Sequence, residues 1–502
     1  MVNSLENYEK RYLFLIDIIV MIFLFVLLYN SMNNNKLIIG FEISIFIIMV
    51  MVYINILFNI SHMIFTDIRL SLILGYSFYN LYTPVIFCFR SNEILDYGIN
   101  EIGWLFYSQD VQKALFVSIL FLAGLLLALT LGKKPEENTE YEYTEADKAN
   151  KSNFNFWLML FIISFLWYLY PYIKIGPDFL NYDRWYRYTF LFDDIKGQLG
   201  IVNKIMNMLV SNYLILISLF MMFRNAISSK RKLQSAVFAV LIIIYSIFML
   251  FIDLRRRELL IVILMCVSYY FYYIKFSFST IKIKRSLKKI SAFLVILLIF
   301  FMVYQSYRQF FKYGYSDGIS AVTDMKKQRS NAETEAYSSE FGMVYLTNLS
   351  TVKYTPKLYL GRSYIEGFIK PVPFISRMSY EWLGYDKEMD SIEVWLSQVY
   401  TDLFEAGGGL GFSPSSEAFI NFGYLGCIII GFIIGLLMNF SYKKLYNHKN
   451  IVIYCVLFSL AFVFNRTDFF GFTYEFFWMV LYYIFYSSIA KALSNTTSNA
   501  TR

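Results

Sequence analysis

The strongest constraint on this chain is the repeated occurrence of apolar runs of bilayer length, such as LIIGFEISIFIIMVMVYINILFNI (37–60). A helix needs about 20 mostly apolar residues to cross a hydrocarbon core. In that setting every backbone N–H and C=O must be satisfied within the protein. Runs of this kind recur along nearly the whole chain, so the expected class is an all-α polytopic membrane protein. Composition agrees: 57% of residues are hydrophobic and 16% charged, against roughly 45–50% and about 25% in soluble domains. About twelve spans are expected, near 12–30, 37–60, 68–90, 111–132, 154–174, 201–223, 235–253, 258–275, 290–308, 417–441, 451–465 and 472–490. The first run, from Arg11 to Tyr29, has no small-residue cleavage site after it and reads as a retained span. The layout divides into an N-terminal bundle of about nine spans (1–308), one long segment (309–416) and a C-terminal bundle of about three spans (417–502).

Lysine and arginine in short loops set orientation. The connections RNAISSKRK (224–232), KFSFSTIKIKRSLKK (275–289) and YKKLYNHKN (442–450) are basic and fall on one side, which is then the cytoplasm. Both termini fall there too, as does the mixed-charge stretch 132–151, which reads as a solvated linker. The net charge of +8 is thereby assigned to the cytoplasmic rim, and no nucleic-acid partner is expected. Cys88, Cys266, Cys427 and Cys455 lie in apolar runs, and His62 and His448 are isolated. Neither a metal site nor a cofactor is expected. The opposite, external side receives 91–110, 175–200, 254–257, 309–416 and 466–471.

One external turn breaks the charge rule. In FIDLRRRELLIVI (251–263), Arg255, Arg256 and Arg257 stand beside Asp253 and Glu258. An arginine at the centre of a bilayer costs on the order of 2.5–3.5 kcal/mol, less near the interface. Two readings are open: the side chains snorkel to lipid phosphates, or they build an anion site. Other external segments also carry arginine. NYDRWYRY (181–188) sets Arg184 and Arg187 on one helix face around Trp185, YQSYRQFF (304–311) contains Arg308, and NRTDFFG (465–471) contains Arg466 and Asp468. Arg329, Arg362 and Arg377 lie in the long segment. Guanidinium forks suit phosphate oxygens, and aromatic faces suit sugar rings or packing.

A structureless loop of a hundred residues is uncommon, so 309–416 is expected to hold helices on or dipping into the outer interface. It acts either as a rigid cap or as a lid. It closes with EAGGGLGFSPSSEAFINFGYLG (405–426). Gly407, Gly408, Gly409 and Gly411 permit close backbone approach, and Ser413–Pro414 marks a helix start. Ser413, Glu417 and Asn421 share one face of that helix, and Gly431 and Gly435 form a GxxxG packing face.

These stretches carry a resemblance. The run GGGLGFSPSSEAFINFGYLG (407–426) resembles the C-terminal signature of bacterial oligosaccharide repeat-unit polymerases, the Wzy-type polymerases of O-antigen and capsule. DLRRRE (253–258) is similar to their arginine turn, and PVPFISR (371–377) to a Pro-then-Arg element of their long loop. The family's turn more often shows one arginine after Gly or Ser, so which of the three corresponds stays open. The resemblance implies a GT-C-like membrane fold at the outer face of the bacterial cytoplasmic membrane. It implies transfer of a growing glycan from undecaprenyl diphosphate to a hydroxyl of an incoming lipid-linked repeat unit. Its partners would be those donor and acceptor lipids, bulk membrane lipid and a chain-length regulator, with no cofactor. Arg255, Arg256, Arg257, Arg308, Arg377 and Arg466 would face the diphosphate. Arg184, Trp185, Arg187, Gly408, Gly409 and Asn421 would face substrate. Glu417, then Asp468 and Glu258, would take the acceptor proton, with purely structural roles equally open for each. A lipid-linked oligosaccharide flippase is the competing reading, but it usually has short loops and paired halves. An O-antigen ligase is a third, and such ligases carry a histidine in the long loop, where 309–416 has none.

Overall fold

The computed structural model describes residues 22–31, 33, 37–60, 67–89, 108–131, 154–181, 191–229, 231–253, 255–277, 340–355, 358–372, 375, 411–446 and 450–500. Every regular element among them is helical. In chain order these are α1 (Ile22–Ser31), α2 (Leu37–Ile60), α3 (Ile68–Phe89), α4 (Ser108–Thr130), α5 (Phe154–Ile175), α6 (Phe192–Gly197), α7 (Ile201–Leu209) and α8 (Asn212–Ser229). There follow α9 (Lys232–Ile247), α10 (Arg256–Ser277), α11 (Glu340–Tyr354), α12 (Arg362–Ile369), α13 (Pro414–Leu445), α14 (Ile451–Val463) and α15 (Phe469–Ala500). The protein is a polytopic all-α membrane protein.

Among the described residues, seven segments are long and apolar enough to cross a bilayer: Leu37–Ile54, Asp110–Thr130, Phe154–Asp178, Ile201–Ser229, Lys232–Ile252, Pro414–Leu445 and Phe469–Leu493. Each coincides with an expected span. The spans expected at 68–90, 258–275 and 451–465 are the helices α3, α10 and α14, which fall short of that standard in polarity or length. The polar residues of α3 are buried among protein neighbours, including Arg69, Ser71, Asn80 and Thr83. The expected span 290–308 lies outside the described residues, as does the start of 12–30. The segment 201–229 is two helices, because Val210 leaves helical geometry (φ −137°, ψ 81°). The last carbonyls of α7 then need partners. The Tyr482 hydroxyl donates to Met208 O (2.8 Å) and the Tyr486 hydroxyl to Leu209 O (2.7 Å).

The chain divides into two compact units. The first comprises 1–136 and 331–474, the second 137–330 and 475–502. In the first, α13 crosses α4 at a stripe of glycines. A Cβ at Gly431 would meet Phe121 O, one at Gly124 would meet Ile428 O, and one at Gly435 would lie 2.7 Å from Leu125 O. The GxxxG face therefore brings two backbones together, as small residues do in membranes. The helix α11 does not lie on a surface. Val344, Tyr345, Thr347, Asn348, Leu349, Ser350 and Thr351 are all fully buried, packed against α3, α4 and α13. Its polar side chains find partners there, so a helix with no clean apolar face is stable as a core element.

At the far end of α13, Asp67 caps α3. Its Oδ1 accepts from the Arg69 backbone N–H (3.0 Å) and from Arg69 Nε (2.9 Å), and its Oδ2 accepts from the guanidinium at 2.6 Å. Both side chains are 1% exposed. The Arg69 guanidinium also lies 4.4 Å over the Tyr442 ring and donates to Asn439 Oδ1 (3.3 Å). In the second unit, α9 ends in a π turn, Phe248–Ile252, leading directly into the arginine turn.

Candidate functional site

In the first unit, the geometry begins with a break in α13. Gly423 adopts φ 68°, ψ −158°, a conformation essentially confined to glycine. The break releases the carbonyls of Ile420 and Asn421 from the amides four residues on. They accept instead from the backbone N–H groups of Tyr359 and Leu360, both at 3.0 Å. The Gly361 N–H donates to Asn421 Oδ1 (3.0 Å), and Gly361 itself has φ 86°. Asn421 Nδ2 donates to the Ser363 hydroxyl (2.7 Å) and to Glu417 O (2.8 Å). The Asn-Phe-Gly signature is thus a device that seats the strand of chain entering α12 against α13.

Glu417 completes this seat. Its Oε1 accepts from the Ser363 hydroxyl (2.6 Å), and its Oε2 accepts from the backbone N–H of Phe469 (2.7 Å). Phe469 opens α15, where a helix N-terminus favours a carboxylate. Glu417 is 1% exposed. One side chain therefore joins α12, α13 and α15. Asp468 has a cap's geometry, its Oδ1 accepting from the Gly471 N–H at 2.7 Å. The Arg466 carbonyl accepts from the Phe412 N–H (3.1 Å), and Gly411 (φ 74°) passes so close that a Cβ there would sit 3.1 Å from that carbonyl. Tyr364 stacks parallel to Phe422 (6.3 Å) and edge-on to Phe469 (5.3 Å). Burial, and then the neighbouring Glu417 carboxylate, hold its phenol well above the usual range.

The serines before Glu417 anchor the start of α13. The Ser413 hydroxyl donates to Asn80 Oδ1 (3.2 Å) rather than capping its own helix, and it pairs with Ser415 (2.8 Å). Ser416 donates to Asn348 Oδ1. Asn348 Nδ2 donates to Asn80 Oδ1 (2.7 Å) and Ser118 Oγ (3.1 Å). This network ties α3, α4, α11 and α13 together, with every member fully buried. Glu417→Gln is expected to loosen this region, because an amide has one acceptor oxygen where the carboxylate serves two donors. Leaving a buried donor unmatched costs about 1–3 kcal/mol. The check is thermal unfolding of purified protein in detergent. An unchanged transition would mean that Glu417 does not hold the three helices.

In the second unit, the turn 253–258 is a cluster of alternating charge. Asp253 is fully buried. It accepts hydrogen bonds from the hydroxyls of Tyr168 and, at 2.7 Å, Tyr172, both on α5. Arg255 Nε lies 3.6 Å from Asp253 Oδ2, and its guanidinium lies 3.7 Å from Glu258 Oε1. Burial works against the Arg255 charge, but Tyr168, Asp253 and Glu258 outweigh it and hold the guanidinium above its ordinary range. Arg257 donates to Glu475 Oε2 on α15 at 3.0 Å. Arg255 and Arg257 are thus held in place by the carboxylates Asp253, Glu258 and Glu475.

The family model for O-antigen polysaccharide polymerase Wzy matches residues 12–493. The chain belongs to that family. Neither a curated protein nor a solved structure matches it. As a Wzy-family O-antigen polymerase, it carries its sequence-expected residues in both units. Glu417, Asp468, Arg466 and Asn421 gather in the first, and Arg255, Arg256, Arg257 and Glu258 in the second. Arg184, Trp185, Arg187, Arg308, Arg377, Gly408 and Gly409 lie outside the described residues. Sequence reasoning passed over Ser363, Tyr168, Tyr172 and Glu475. Only Glu475 had a visible signal, as a carboxylate inside an apolar run, where ionisable groups are expensive unless they have a role.

Proposed function

We propose that this O-antigen polymerase joins repeat units at the outer face of the bacterial cytoplasmic membrane. The donor is a glycan on undecaprenyl diphosphate, and the acceptor is a hydroxyl of a second lipid-linked repeat unit. The family match over 12–493 carries this reading. The arginine turn supports it, because the leaving group is a diphosphate and charge develops on it as the glycosidic bond breaks. Positioned donors at that point stabilise the transition state electrostatically. The planar guanidinium fork matches the geometry of phosphate oxygens. Arg308, Arg377 and Arg466 are further candidates for diphosphate contact, and Arg184, Trp185, Arg187, Gly408, Gly409 and Asn421 for glycan contact. Glu417 organises the first unit rather than receiving the proton. About twelve spans in a GT-C-like arrangement, cytoplasmic termini, and 309–416 on the outer face complete the proposal, with a chain-length regulator as partner.

The test is deletion and complementation, reading the surface glycan as a size ladder. The expected result is single repeat units on the surface, with long polymer restored by the wild-type gene. Loss of all surface glycan with lipid-linked units retained inside would point to a flippase. Long polymer left on lipid and absent from the surface acceptor would point to a ligase. An unchanged ladder would overturn the proposal.

A further inference from the structure

We infer that Glu475 is the catalytic base of the polymerisation, an inference that rests on the reading above. A base must offer a carboxylate oxygen to the substrate hydroxyl within hydrogen-bond reach. Glu417, the first choice from sequence, has both oxygens engaged by Ser363 and the Phe469 N–H and is 1% exposed. Taking a proton there would break the clamp that joins α12, α13 and α15. Asp468 accepts the Gly471 N–H that starts α15. Asp253 is closed off by two tyrosine hydroxyls, with both oxygens engaged.

Glu475 is differently placed. It stands on α15 in the second unit, with its side chain 11% exposed, and its Oε2 accepts from Arg257 at 3.0 Å. It is therefore a carboxylate attached directly to the arginine turn that would hold the diphosphate. That juxtaposition sets an acceptor for the hydroxyl proton beside a cation for the leaving diphosphate oxygen. In the step, the acceptor oxygen bonds to the anomeric carbon and the bond from that carbon to the diphosphate oxygen breaks. The bonding pair leaves on undecaprenyl diphosphate, and the hydroxyl proton passes to Glu475. The protonated carboxyl later releases the proton to water, and no further reactant is needed. Arg257 has two tasks in this arrangement: it orients Glu475 and it faces the departing phosphate. Glu258, the other carboxylate of the cluster, is engaged with Arg255.

The experiment uses full-length protein in proteoliposomes, with undecaprenyl diphosphate-linked repeat unit extracted from a strain lacking this gene. Initial rates are measured across pH for wild type, Glu475→Gln and Glu475→Asp. Glutamine keeps an acceptor for Arg257 and removes the basicity. The expected result for Glu475→Gln is a fall in kcat of about a hundredfold or more, an unchanged KM, and loss of the acidic limb of the pH profile. A merely structural ion pair would instead lower activity in step with folded protein and leave the limb in place. Wild-type kcat in Glu475→Gln would overturn the inference. If that variant does not accumulate, Glu475→Asp decides. A base drawn back by one methylene gives a reduced kcat with the limb retained, and an undiminished kcat overturns the inference. Failure of the wild-type protein itself to polymerise these units would instead sink the polymerase reading.

Discussion

Arg257→Ala is expected to abolish long polymer. Two separate losses combine. Removing a preorganised cation from a site of developing charge typically costs roughly 3–4 kcal/mol of transition-state stabilisation, a rate loss on the order of a hundredfold or more. In addition, Glu475 loses the guanidinium 3.0 Å from its carboxylate. Deleting one partner of a buried pair costs about 3–5 kcal/mol when the remaining charge is uncompensated, and less at a site that keeps some exposure. The two losses can be separated. Arg257→Ala alone should lower both protein level and polymer. Arg257→Ala combined with Glu475→Gln should restore protein to the membrane without restoring polymer. Arg257→Lys should keep the protein level and rescue polymer poorly, since an ammonium lacks the two-pronged fork. The readouts are the surface glycan ladder and immunodetection of the protein in isolated membranes. Full-length polymer from Arg257→Ala at normal protein level would leave snorkelling as the better account of this arginine.

Arg69→Met is expected to remove most of the protein from the membrane, for a different reason. Asp67 and Arg69 are both 1% exposed and bonded through two carboxylate oxygens. Their site lies against Asn439 and Tyr442, 22 and 25 residues beyond Glu417 on α13, so the pair anchors the opposite end of the same helix. Breaking it leaves Asp67 charged and buried, a cost of about 3–5 kcal/mol. Against a total stability of about 5–15 kcal/mol, that is a large share. Replacing both members, as Asp67→Leu with Arg69→Met, should recover much of the loss, because an apolar pair needs no compensation. Thermal unfolding in detergent measures both variants, and polymer made per folded molecule should not change. A double variant no more stable than Arg69→Met would mean that Asp67 also acts by capping α3, through the backbone N–H of Arg69.

How much of this was legible in the residues differs from one element to the next. The apolar runs that fall among the described residues are helices, as their length and composition led one to expect, because a helix satisfies its backbone within a single segment. The GxxxG at Gly431 and Gly435 was legible because only small residues admit a second backbone so closely, and α4 is the helix they meet. The start of α13 was legible from Ser413–Pro414, although the serine hydroxyl bonds Asn80 rather than its own helix. By contrast, the long segment 309–416 was expected to hold helices on or dipping into the outer interface, and α11 (EFGMVYLTNLSTVKY) does not lie on a surface. It is a core helix because Asn80, Ser118 and Ser416 lie where its polar groups need them, and residues so distant in sequence cannot announce that match. The break at Val210 was hidden for the same reason, since the tyrosines at 482 and 486 that satisfy the freed carbonyls come from the last helix.

The candidate site divides along the same line. The residues by themselves determined a polytopic helical membrane protein, three consecutive arginines between two apolar runs, and a glutamate in a Gly/Ser-rich helix start. These follow from short-range facts: apolar length, charge and spacing. What only the tertiary structure decided is which of these groups is already engaged. Glu417 is bound by Ser363 and by the first amide of α15. Asp253 is bound by two tyrosines of α5, and Arg257 by Glu475. The reason is physical: a carboxylate's chemistry depends on the donors and solvent within about 3 Å of its oxygens, and here those donors come from elements up to 218 positions away along the chain.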